Sequence, residues 1–156
     1  MADGFTHVDD QGRARMVDVT GKHVTERVAV AEAHVMLSAA VADRLFGGDL
    51  PKGDALGVVR VAAIMGAKRT PDLVPLCHPL PIEAVAVTVD RTADGARIEV
   101  TVRVTARTGV EMEAMTGAAV GAIALYDMVK GLDKGVSIGP IRLLSKQGGK
   151  SGDWSR

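Results

Sequence analysis

IEAVAVTVDR (82–91), TADG (92–95) and ARIEVTVRVTAR (96–107) form the stretch from which the fold is read. Polar and apolar residues alternate in both halves, and Val, Ile and Thr dominate. Asp94-Gly95 marks a reversal, so the pattern predicts an antiparallel hairpin. The chain continues into TGVEMEAMTGAAVGAIALYDMVKGLDK, residues 108–134. Glu111 and Glu113 open this segment, and Asp127, Lys130, Asp133 and Lys134 close it. Nothing from Ala114 to Tyr126 is charged. That predicts a core helix, buried through its middle, with ionisable groups at both tips. Gly117 and Gly121 form a GxxxG that suits close packing on a sheet or a partner better than membrane association.

Upstream of the hairpin, RVAVAEAHVML (27–37) has no breaker. As a strand it puts Val28, Val30, Glu32, His34 and Met36 on one face, and Ala29, Ala31, Ala33, Val35 and Leu37 on the other. A helix competes here, since Ala and Glu favour it. The strand reading is preferred because Ser38 is a good N-cap for a helix over SAAVADRLF, which Gly47-Gly48 stops. After the turn-rich GGDLPKGD, Asp54 caps a second helix, ALGVVRVAAIMGAKR. Ala55, Val58, Val59, Ala62 and Met65 share one of its faces, and Lys68 and Arg69 sit in its last turn. Pro71, Pro75, Pro79 and Pro81 then argue against regular structure through TPDLVPLCHPLP. Downstream of the long helix, VSIGPIRLLSK reads as a last strand.

The order is strand, two helices, two strands, helix, strand. With the first crossover split into two helices, this is the ferredoxin-like β-α-β-β-α-β plait, an α+β fold with an antiparallel sheet and helices on one face. Residues 1–156 are expected to be a single domain, with 1–23 an extended arm and 147–156 a flexible tail. The fold alone assigns no function.

Composition narrows the function classes. Nineteen basic and nineteen acidic residues cancel, which argues against a general nucleic-acid coat. Phe5, Phe46, Tyr126 and Trp154 are the only aromatics, too few for base-stacking platforms. Cys77 is the sole cysteine, so no internal disulfide or thiolate zinc cluster can form. The N-terminus lacks the apolar core of a signal peptide, and the longest apolar run is interrupted by Thr and Gly; a cytoplasmic protein without a membrane span is expected.

Several groups can carry chemistry. At about 1.5 Å rise per residue, Glu113 and Asp127 lie roughly 21 Å apart on a continuous helix. One small-molecule pocket within one subunit does not span that distance. Asp127 and Lys130, three residues apart, fit either a surface ion pair or an acid/base pair. His78, between prolines in LCHP, is either a rigidly presented site residue or a loop histidine bonded to backbone. Its neighbour Cys77 is poorly placed for a Cys–His nucleophilic pair. His7, His23, His34 and His78 show no zinc-ligand spacing, so no metal ligands are assigned. GGKSG fails as a phosphate loop because Leu144 stands where the first glycine belongs; Lys146 and Lys150 remain as an unspecific anion contact or a solvated tail. Lys52 lies in the Gly-rich loop, where a lysine is most often simply solvated.

MVDVTGK (16–22), KGD (52–54), AKRTPDLVPLCHPL (67–80), TGVEMEAMT (108–116), LYDMVK (125–130) and IGPIRLLSKQGGKSGD (138–153) together closely resemble the cyclic pyranopterin monophosphate synthase family, molybdenum cofactor biosynthesis protein C or MoaC. The resemblance runs nearly end to end, with family-like spacings. It implies a lyase that converts 3′,8-cyclo-7,8-dihydro-GTP to cyclic pyranopterin monophosphate and releases pyrophosphate. It also implies a homohexamer of three dimers with active sites at subunit interfaces. Carried over residue by residue, it implies Asp127, Lys130 and Lys52 as catalytic. Leu76, Cys77, His78, Met112 and Glu113 are implied as substrate-binding, with Glu111, Lys68 and Lys146 as further pocket residues. No cofactor is implied, and magnesium on the triphosphate is left open. The rival readings are a non-catalytic ferredoxin-like ligand-binding regulatory module and a hydrolase of GTP or a related nucleotide.

Overall fold

A computed structural model describes residues 7–9 and 11–156. The first part of the arm, 1–6, and Asp10 lie outside the described residues. The chain runs β1 (Thr25–Met36), α1 (Ala39–Gly47), α2 (Ala55–Lys68), α3 (Thr70–Leu73), β2 (Ala84–Thr92), β3 (Gly95–Ala106), α4 (Glu111–Val129), β4 (Ser137–Gln147) and β5 (Trp154–Ser155). The sheet order is β2-β3-β1-β4-β5, antiparallel throughout. The first four of these strands form the expected plait, with α2 and α4 packed together on one face.

The hairpin pairs Thr92 with Gly95 across a two-residue turn. Gly95 has φ 150°, and a β-carbon there would collide with the Val35 carbonyl and the Leu37 nitrogen. Only glycine lets the turn approach the end of β1 so closely. In β1 the alternation holds: Ala29, Ala31, Ala33 and Val35 are buried in the core. Glu32, on the opposite face, is also buried, at 3 % exposed, where Arg142 Nε donates to its carboxylate at 2.7 Å. Burial pushes the Glu32 carboxyl up, but hydrogen bonds from Arg142 and His34 outweigh it and hold it below its usual value.

Two local expectations are corrected. The face of α2 that enters the core is Ala55, Val59, Ala63, Gly66 and Ala67, whereas Val58 and Met65 are exposed. Small residues face inward because α4 approaches closely: a β-carbon on Gly117 would lie 3.0 Å from the Ala63 carbonyl, and one on Gly121 would lie 3.2 Å from Ala63 Cβ. The same positions would meet Val100 and Ile98 of β3, so the GxxxG packs within its own chain. Secondly, Thr70–Leu73 is a helical turn despite Pro71. Proline is tolerated in a first helical turn because its missing N–H has no intrahelical partner there.

By length and composition α4, at 19 residues, could cross a membrane. Ten of its residues, from Glu113 to Val129, are buried against the rest of the chain, as suits a core helix. The stretch expected as a C-terminal tail carries β5, whose Trp154 and Ser155 pair with Lys146 and Ser145.

Candidate active site

Each tip of α4 carries a separate cluster. At its N-terminal end lies a cavity of about 1090 Å³. Leu76, Cys77 and His78 wall it from the loop after α3, Glu111, Met112 and Glu113 from the first turn of α4, and Lys146 from the end of β4. Seven of the eleven expected site residues therefore converge here. The stretch from Pro75 to Pro81 contributes by keeping the Leu76–His78 loop out of regular structure.

Glu113 is 3 % exposed. Burial, and secondarily the charge of Glu111, pushes its carboxyl up to about 7. It can therefore accept or donate a proton near neutrality. Cys77 is pushed the other way from reactivity: burial and the Glu113 charge raise its thiol, which suits an uncharged wall better than a thiolate nucleophile. Glu111 faces Lys146 Nζ at 3.5 Å. His78 Nε2 donates to the Val17 carbonyl at 2.8 Å, so the loop histidine is bonded to backbone and lines the cavity as well.

At the other tip, Asp127 stands between two ammonium groups. Lys52 Nζ lies 2.7 Å from Oδ2 and Lys130 Nζ 2.8 Å from Oδ1. Lys52 also donates to the Asp127 carbonyl at 2.7 Å. The loop before α2 delivers Lys52 because α2 runs antiparallel to α4, as the Ala63–Gly121 and Ala67–Gly117 contacts require. Hydrogen bonds from Lys130 and Lys52 hold the Asp127 carboxyl down at about 2, and the same pairing raises the Lys130 ammonium. At neutral pH the aspartate is thus ionised, and pairing with it favours the charged form of Lys130.

Lys68, at the C-terminus of α2, is exposed and does not line the cavity. The cavity wall also includes residues not singled out as site residues from sequence: Lys22, His23, Arg27, Arg107 and Thr108. Lys22 lay inside a recognised motif, but isolated basic residues carry no spacing that reveals convergence. Gly148, Gly149 and Lys150 line the cavity as well. Among the described residues no three His, Cys, Asp or Glu side chains gather as a metal-binding group.

The arrangement offers a large cavity lined by several cations and by a carboxyl that titrates near neutrality, and a Lys-Asp-Lys ion-pair cluster at the far tip of α4. The family model described as the MoaC family matches residues 16–149. A cyclic pyranopterin monophosphate synthase of Corynebacterium glutamicum (strain R) is 56 % identical over 151 residues, covering 97 % of both chains. One from Streptomyces avermitilis is 54 % identical over 99 % of this chain and 91 % of its own. Another from Geobacter sulfurreducens is 54 % identical over 97 % of this chain and 96 % of its own. With the family pattern spanning the cavity and both tips of α4, the chain belongs to the MoaC family.

Proposed function

We propose that this chain is a cyclic pyranopterin monophosphate synthase, a lyase of molybdenum cofactor biosynthesis that takes 3′,8-cyclo-7,8-dihydro-GTP and releases pyrophosphate. The observation that carries the reading is the convergence of Leu76–His78, Glu111–Glu113 and Lys146 on one cavity rich in cations. A triphosphate that closes to a cyclic monophosphate must expel pyrophosphate from its α-phosphorus. Fixed cations lower the cost of the charge that builds on the leaving oxygens, and Lys146, Arg27 and Lys150, which line the cavity, support that role. Glu113 suits the N–H groups of a guanine-derived ring, since a carboxylate accepts two donors at once. Asp127 is the general acid/base of this reading, with Lys52 and Lys130 as the catalytic cations held against it.

Both clusters belong to one reaction only if they come from different subunits, because about 21 Å separates Glu113 from Asp127 along α4. The exposed apolar stripe of Val58, Val61 and Met65 on α2 and Ile123 on α4 supports a subunit contact on the helical layer. The proposed assembly is a homohexamer of three dimers in the cytoplasm, with the site between subunits. Purified protein incubated with the cyclised dihydro-GTP should form the cyclic pterin and pyrophosphate in equal amounts. Binding without turnover by folded protein would mean a regulatory module, and phosphate release from GTP itself would mean a nucleotide hydrolase.

A further inference from the structure

The arm before β1 is attached to the rest of the molecule in an unusual way. In the arm, Arg15 N donates to the His7 carbonyl at 2.9 Å, and Val8 and Ala14 form a bridge. Residues 17–22 turn through a Lys22 N–Val19 carbonyl bond of 3.0 Å, with Asp18 accepting from the Thr20 backbone and hydroxyl. Among the described residues 7–24, the hydrogen bonds that reach outward are two, and both leave from the wall of the cavity. His78 Nε2 donates to the Val17 carbonyl at 2.8 Å, and Arg107 Nε donates to the Lys22 carbonyl at 3.2 Å. They grip the segment at its two ends. Val17, Val19, Gly21 and Lys22 themselves line the cavity.

We infer that His78 and Arg107 are positioning residues which pin the Val17–Lys22 segment as a strap, making it one wall of the substrate cavity. A bond from a ring N–H or a guanidinium to a carbonyl is directional, so each fixes one end of the strap and the pair fixes its path. Arg107 keeps its Nη groups free of the strap, and its own carbonyl accepts from Arg27 Nη2 at 3.5 Å, tying the anchor to β1. The His78 ring, with Nε2–H committed to Val17, presents only Nδ1 to anything else. Substrate affinity then depends on two groups that hold the wall in place.

Hydrogen exchange on the ligand-free full chain tests the pinning without reference to any reaction. His78→Ala and Arg107→Ala should each speed exchange across 16–23 about tenfold, as loss of one hydrogen bond predicts, with β1 and β3 unchanged. The donor-retaining variants His78→Gln and Arg107→Lys should restore part of the protection, and they keep the test usable if an alanine variant folds poorly. The kinetic half rests on the proposed reaction: a loosened strap should raise KM several-fold and lower kcat less. Wild-type exchange at 16–23 in the double variant would overturn the inference, as would a fall in kcat at unchanged KM in Arg107→Ala.

Discussion

Two carboxylates at opposite ends of one helix are tuned in opposite directions by their surroundings. Asp127 is half-exposed and flanked by Lys52 and Lys130, so its charge is stabilised; Glu113 is buried beside Glu111, so its charge is penalised. Asp127→Asn should lower kcat by roughly a hundred- to ten-thousand-fold, the range for losing a proton-transfer group. Its melting temperature should hardly move, because exposed ion pairs contribute little to stability. Turnover assays and thermal melts on one preparation check both. Glu113 gives a pH signature. A carboxyl raised from 4.5 to about 7 binds its proton more tightly when folded. Its contribution is therefore fully present below the unfolded value near 4.5 and is lost as pH rises through about 7. Urea unfolding should show wild type losing stability between pH 5 and pH 8 relative to Glu113→Gln, about as far as the linkage slope allows. Parallel curves for the two proteins would remove the proton from the account.

The element that organises the molecule is α4, and its usefulness depends on close packing. Glycines at 117 and 121 let α2 and β3 approach its axis, which sets the small-residue seam of Ala63, Gly66 and Ala67. Gly121→Val should destabilise by about 1–3 kcal/mol, since its added carbons meet Ala63 and Ile98 in a packed seam. Calorimetry would register this as a fall of roughly 2–4 °C in melting temperature per kcal/mol for a chain of this size. Because the seam also holds the antiparallel partner helix, a displaced α2 would carry Lys52 away from Asp127. Activity should therefore fall further than the loss of folded protein explains.

At the scale of the whole molecule, the proposed reaction can use both tips of α4 only if different subunits supply them, which makes oligomerisation a test of it. Mixing Asp127→Ala with Glu113→Ala protein under exchange conditions should recover activity, because half of the composite sites in a mixed dimer are intact. No recovery despite subunit exchange proven by mass spectrometry would separate the two clusters into different functions. A charge in the exposed apolar stripe should break the contact: Ile123→Lys or Val61→Asp should shift the protein to smaller species in light scattering. The oligomeric state should drop together with turnover.

Most of the architecture was legible in the sequence. The alternation of β1 and of the hairpin, the Ser38 and Asp54 caps and the uncharged length of α4 are local signals, and local signals are written in neighbouring residues. The motifs likewise named seven of the residues that converge on the cavity. Tertiary structure decided what depends on distance and burial. It turned α2 so that small residues face the core, because an adjacent helix at glycine range leaves no room for Val58 or Met65. It gathered Lys22, Arg27 and Arg107, far apart along the chain, around the same cavity. It also shifted the proton affinities of Glu113 and Asp127 in opposite directions: a carboxyl group's proton affinity is set by the charges and the solvent around it, which a linear sequence does not contain.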